Sequence, residues 1–153
     1  MNYLGELRKL LGHRPLLAVG VTILVLDSEN HLLLLRRSDD KCWGPPGGSI
    51  ELGESTEEAA QRETLEEAGL KISDIALFDV FSGKDQYYCY PNGDEVHMIQ
   101  IVYVCKDFYG EVQISDEHTE WSWFALGEIP EDLSPPIKPV IEKFKRSYSL
   151  LDT

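Results

Sequence analysis

Gly48 to Leu70 reads GSIELGESTEEAAQRETLEEAGL, and the spacing of its glutamates governs how the rest of the chain is read. On a helix turning about 100° per residue, Glu63 and Glu67 fall about 40° apart, with Glu66 about 60° to the other side of Glu63. The three carboxylates therefore share one arc. Like charges at this spacing weaken a helix by roughly a few tenths of a kcal/mol, so the cluster calls for full solvation or for a cation between its members. Ligands that are all oxygen suit a hard cation, Mg²⁺ or Mn²⁺. In isolation an EExxE run is more often a solvated helix face.

The flanks favour the cation. Pro45-Pro46-Gly47-Gly48 is a rigid and then permissive segment that brings backbone close to a metal or ligand. Ser55, Thr56 and Glu58 form a capping-box pattern that opens a helix at Ser55, and Gly69 closes it as a left-handed cap. Arg62 lies about 100° from Glu63, on a face from which it can reach back and grip Glu54 with two hydrogen bonds.

Gly48, Glu54, Arg62, Glu63, Glu66, Glu67 and Gly69 match every fixed position of the Nudix box, and the chain resembles that family. Chance agreement at a given start is on the order of one in a hundred million. Thr64 departs from the pattern, which prefers a bulky aliphatic there; its methyl can still pack against a core. The box covers 23 of 153 residues, and the order of elements around it is also similar to a Nudix domain.

The length suits one domain with a core of its own, spanning 1–153. Cys42, Cys89 and Cys105 are odd in number and form no CxxC pair, so they read as reduced thiols of a cytoplasmic protein. Arg8 and Lys9 interrupt the early apolar run of a secretory signal, and no stretch approaches the roughly 20 apolar residues of a membrane span. The net charge of −13 argues against long nucleic acid and anionic membranes as partners. A small polyphosphate that arrives with Mg²⁺ is compatible with it.

Leu4, Leu7 and Leu11, stopped by Gly12, predict an N-terminal helix that packs on the domain or serves a homodimer. Leu16 to Leu26 and His31 to Leu35 read as an antiparallel pair around Asp27–Asn30. Further strands are expected over Ile75 to Phe81, over Tyr87 to Tyr90 and Val96 to Cys105 around Pro91-Asn92-Gly93-Asp94, and over Glu120 to Leu126. Pro136 to Ser149 reads as an amphipathic helix. This order predicts an α/β fold with a mixed sheet between helices, which the resemblance sharpens to a Nudix-type α/β/α sandwich.

The resemblance implies Mg²⁺-dependent cleavage of a pyrophosphate bond in a nucleoside diphosphate linked to another moiety, with metal-activated water as nucleophile. The substrate classes it leaves open are nucleoside diphosphate sugars, nucleoside triphosphates and dinucleoside polyphosphates. It makes Glu63 and Glu67 first metal ligands, Glu66 a further ligand or the group that orients water, Gly47 a main-chain ligand, and Glu54 with Arg62 an orienting pair. The general base lies in the box or on a later loop, where Glu117 and Glu120 are candidates. Arg36 and Arg37 could grip a substrate phosphate. Tyr87 stands where diadenosine polyphosphate hydrolases of the family often carry a tyrosine, whereas Asp85 and Gln86 occupy the places of the proline common in ADP-ribose hydrolases. The competing reading is a Nudix-fold module that binds a nucleotide and regulates without cleaving it.

Overall fold

Helical spacing of leucines near the N-terminus yields α1 (Tyr3–Leu11). The Asn2 side chain caps it by accepting from Gly5 N at 2.7 Å, and Gly12, at φ 65°, stops it. The computed structural model of the protein describes residues 2–151, so Met1, Asp152 and Thr153 of the expected domain lie outside the described residues. No residue of α1 is buried, and polar contacts hold the helix in place. Tyr3 N donates to Glu51 at 3.0 Å, and the Arg8 guanidinium donates to the Glu95 carbonyl at 2.6 Å.

The two apolar runs that follow become β1 (Leu16–Val25) and β2 (Leu32–Arg37). Their expected pairing survives only as one bridge, Leu26 to Leu32. Leu32 to Leu35 are all 0% exposed, and strands apolar on both faces need cover on both sides, which one water-facing hairpin does not supply. The strands therefore part into different sheets. β2 pairs with β3 (Trp43–Gly44) and with β10 (His118–Phe124). β1 pairs antiparallel with β4 (Gly47–Ser49) and parallel with β8 (Glu95–Cys105) along its whole length, Leu16 with Val96 through Val25 with Cys105.

The box helix is α2 (Thr56–Ala68). Beyond it, β5 (Lys71–Ser73) pairs with β9 (Asp107–Tyr109), a short ladder without a clear pattern in the sequence. β6 (Ala76–Phe81) and β7 (Tyr87–Cys89) both run antiparallel to β8, the latter through the expected Asn-Gly hairpin with Tyr87 opposite His97 and Tyr88 opposite Val96. A 3₁₀ turn at Pro135–Ile137 leads into α3 (Lys138–Leu151).

Strand alternation divides the interior into two cores. Val21, Ile23 and Val25 point with Leu33, Leu35 and Tyr103 toward α2, which meets them with Ala59, Ala60 and Ala68. Leu24, Leu26, Leu32 and Leu34 point the other way, toward Val140, Ile141 and Phe144 of α3. The result is an α/β/α sandwich with mixed β-structure between its helices. Small side chains on the inner face of α2 bring its backbone close to the sheet. Thr64 is fully buried among them and donates its hydroxyl to the Ala60 carbonyl at 2.7 Å. No helix of the described residues is long and apolar enough to cross a membrane.

Candidate active site

Two glycines let the β4 loop lie close to its neighbours, Gly47 to β1 and Gly48 to α2. A Cβ on Gly47 would collide with the Val21 carbonyl, and one on Gly48 would collide with the Glu63 carboxylate. Only glycine lets the strand lie against the carboxylate. At the head of α2, Ser55 Oγ accepts from Glu58 N at 3.1 Å and Glu58 accepts from Ser55 N at 3.4 Å, completing the capping box. Gly69, at φ 72°, ends the helix.

Arg62 ties the loop to the helix. Its Nε and Nη2 donate to the two Glu54 oxygens at 2.6 and 2.9 Å, and Nη2 also donates to the Ser49 carbonyl at 2.9 Å. Glu54 accepts in addition from Glu51 N at 3.0 Å. The guanidinium, hydrogen-bonded first by Glu54, holds that carboxyl below its ordinary range. Arg62 Nη1 reaches Glu63 at 2.8 Å and the exposed Glu66 at 3.3 Å. Arg62 thus stands among the box carboxylates, and no group of three or more His, Cys, Asp or Glu among the described residues forms a preassembled metal cage.

Glu63 and Glu67 differ from Glu66 by burial: their side chains are 13% exposed and that of Glu66 is 59%. Burial raises the Glu63 carboxyl, with the charges of Glu66 and Glu117 adding to it and Arg62 opposing it. Burial likewise pushes Glu67 up to about 8, opposed by a 2.8 Å hydrogen bond from Gly47 N and reinforced by the charges of Glu63 and Glu117. Both carboxylates are therefore costly to ionise in the folded protein unless a further cation joins them. That is the electrostatic requirement for a hard cation, and the donors on offer are oxygens.

Glu67, Gly47 and Gly48 line one end of a cleft of about 590 Å³ that runs under α1, past Arg37, Tyr88 and Tyr90. The structure sorts the remaining expected residues by strand alternation. Arg37 lines the cleft and forms two bonds with Asp39, at 2.9 and 2.7 Å, with its guanidinium 5.4 Å from the Tyr90 ring centroid. Arg36, one residue earlier, does not line it; it binds Glu120 at 2.9 Å and lies 3.6 Å from Asp132. Glu120 is thereby engaged on the β2–β10 ladder, while Glu117 is the later glutamate whose charge acts on Glu63 and Glu67.

Tyr87 is on the outer face of β7, against His97, with its hydroxyl 2.5 Å from Glu95. Its neighbour Tyr88 faces the cleft, packs edge-on against Tyr90 and bonds to Asp40. The difference is one step of a period-two strand. His118 also lines the cleft and had no motif to announce it: β10 begins two residues before the expected Glu120, which places this histidine in the wall. A buried polar row, Thr22 to Gln100 at 2.7 Å with both Gln86 and Gln100 donating to the Pro136 carbonyl at 3.0 Å, fixes the start of the α3 segment to the sheet.

The NUDIX domain family matches residues 16–144, and the chain belongs to that family. It is 34% identical over 110 residues to an ADP-ribose pyrophosphatase of Methanocaldococcus jannaschii, covering 70% of this chain and 62% of that relative's length. It is 31% identical over 118 residues to the nucleoside triphosphatase NudI of Escherichia coli, covering 71% of this chain and 80% of that one. Among solved structures, a MutT NUDIX hydrolase from Burkholderia pseudomallei superimposes with a TM-score of 0.71 at 30% identity, over 84% of this chain and 97% of the other. The chain is accordingly a Nudix hydrolase, of a family that generally uses divalent metal ions.

Proposed function

We propose that the protein hydrolyses a phosphoanhydride bond in a nucleoside diphosphate joined to a further group, with Mg²⁺, or Mn²⁺ in its place, as the metal. One observation carries this reading: two neighbouring carboxylates, Glu63 and Glu67, are buried, and Glu67 lines a cleft that also presents Arg37. These two would hold the cation, with Glu66 and the Gly47 main chain as further donors. When bound, such a cation supplies charge stabilisation at a phosphoryl oxygen and lowers the pKa of water.

The chain's own residues divide the remaining work. Glu54 and Arg62 fix the box loop against α2 and orient Glu63. Arg37 offers the cleft a guanidinium near Glu67, suited to a phosphate oxygen. Glu117 suits the proton of an attacking water better than Glu120, because its charge acts on the carboxylate pair while Glu120 is paired with Arg36.

Arg8, the cation at the far end of the cleft, is engaged by the carbonyls of Gly12, Arg14 and Glu95. The phosphates belong beside Glu63 and Glu67, where the cation would be held, and the neutral nucleoside lies away from them along the cleft. ADP-ribose and nucleoside triphosphates, the substrates in the names of the two curated relatives, both fit that polarity. The free thiols Cys42, Cys89 and Cys105 accord with a cytoplasmic location.

The test is a product-identified hydrolysis screen of ADP-ribose, other nucleoside diphosphate sugars, nucleoside triphosphates and dinucleoside polyphosphates with Mg²⁺. Turnover of at least one class to a nucleotide and a phosphorylated product, lost in Glu67→Gln, is expected. Saturable nucleotide binding without turnover across the panel would contradict hydrolysis and favour a binding module.

A further inference from the structure

His118 is the one residue among those described that carries a buried side-chain nitrogen without a hydrogen-bond partner, its Nδ1. The side chain is 6% exposed, and its Nε2 lies 3.9 Å from Glu67 Oε2. A histidine buried merely for packing normally satisfies its ring nitrogens, because an unpaired polar atom in the interior costs roughly 1–3 kcal/mol. Here the ring is turned inward by a local irregularity. The β2–β10 register shifts between His118 and Glu120, and Thr119, Glu120 and Trp121 beside it are all exposed. Bulges of this kind re-aim single side chains.

We infer that His118 is a positioning residue for Glu67: its Nε2–H closes onto Oε2 while Gly47 N holds Oε1, so the carboxylate is fixed from both sides. The second half of that clamp is already formed, at 2.8 Å. The first needs a closure of about 1 Å to reach hydrogen-bond distance. A ring protonated at Nε2 presents a donor toward Glu67. Such partners set the orientation of a ligating group, and their loss costs roughly 10–100-fold in metal affinity or activity. This inference rests on the proposed role of Glu67 as a metal ligand.

The experiment compares His118→Gln, His118→Asn and His118→Leu with the wild type, by calorimetric titration with Mn²⁺ in the absence of nucleotide and by kcat and KM on the best substrate of the screen. The glutamine amide nitrogen reaches the Nε2 position and the asparagine nitrogen the Nδ1 position. Leu and Asn variants that weaken Mn²⁺ binding or kcat by roughly 10–100-fold with little change in KM, and a Gln variant within a few-fold of the wild type, are expected. If His118→Leu does not fold, the Gln and Asn pair decides alone. Equal Mn²⁺ affinity and kcat in the wild type and the Asn variant, or equal impairment of Asn and Gln, overturns the positioning role while leaving Glu67 a ligand. A wild type that binds no Mn²⁺ overturns both together.

Discussion

Burial separates the three helical carboxylates into different chemical groups. Glu66 is solvated, whereas Glu63 and Glu67 are held between α2 and the glycine loop. Because the folded Glu67 carboxyl titrates near 8 and its ordinary value is 4.5, the folded state binds more protons between those values. Its stability therefore falls as pH rises through that window. In chelator, Glu67→Gln should melt at least about 3 °C above the wild type near pH 8.5 and close to it near pH 5, as read by thermal unfolding. A lower or equal melting temperature near pH 8.5 would show that the carboxylate is not buried at a cost. Activity separates the two loop glutamates: Glu117→Gln should lower kcat by at least about 100-fold, and Glu120→Gln by less than about tenfold, in steady-state kinetics. The reverse order would restore Glu120 to the role expected from the sequence. The acid cluster was legible from spacing alone. That Tyr88 rather than Tyr87 lines the cleft was not, because it turns on strand phase, which one residue of register inverts, and no local pattern sets the approach of Glu117, in the turn before β10, to the carboxylate pair.

At the scale of elements, α2 was the most legible part, since its start, stop and inner face are written in local chemistry: Ser55 with Glu58, Gly69, and a row of alanines. The Arg62–Glu54 grip was also readable, because both partners lie within the box. What the sequence hid was pairing at long range. The leucine-rich run of β2 looks like the second half of a hairpin, yet its bonds go to β3 and β10, and no local signal marks a parallel partner for β1 some 80 residues away. The fit of α2 against β4 depends on Gly48. In Gly48→Ala the new methyl displaces the Glu63 carboxylate, and Mn²⁺ affinity measured by calorimetry should fall at least about tenfold. Unchanged affinity would mean that the close approach of loop and carboxylate has no part in holding a cation.

Across the whole molecule, two cores clamp the β-structure between α2 and α3, and the cleft opens beside the first of them, roofed by a helix that buries none of its own residues. The cleft sets the buried Glu67 in the same wall as Arg37, which stacks on Tyr90, so a cation held at Glu67 would give a chain of net charge −13 one spot attractive to a phosphorylated ligand. Substrate identity was the least legible property, because the cleft wall is assembled from α1, β1, β7 and β8, whose side chains meet only in the fold. The identity of the metal site is open to direct measurement: equilibrium Mn²⁺ titration of the wild type and of the Glu63→Gln/Glu67→Gln double variant. A saturable site in the wild type, weakened at least about a hundredfold in the double variant, is the predicted result. Equal affinity in the two proteins would contradict the assignment of these buried carboxylates as the metal-holding pair.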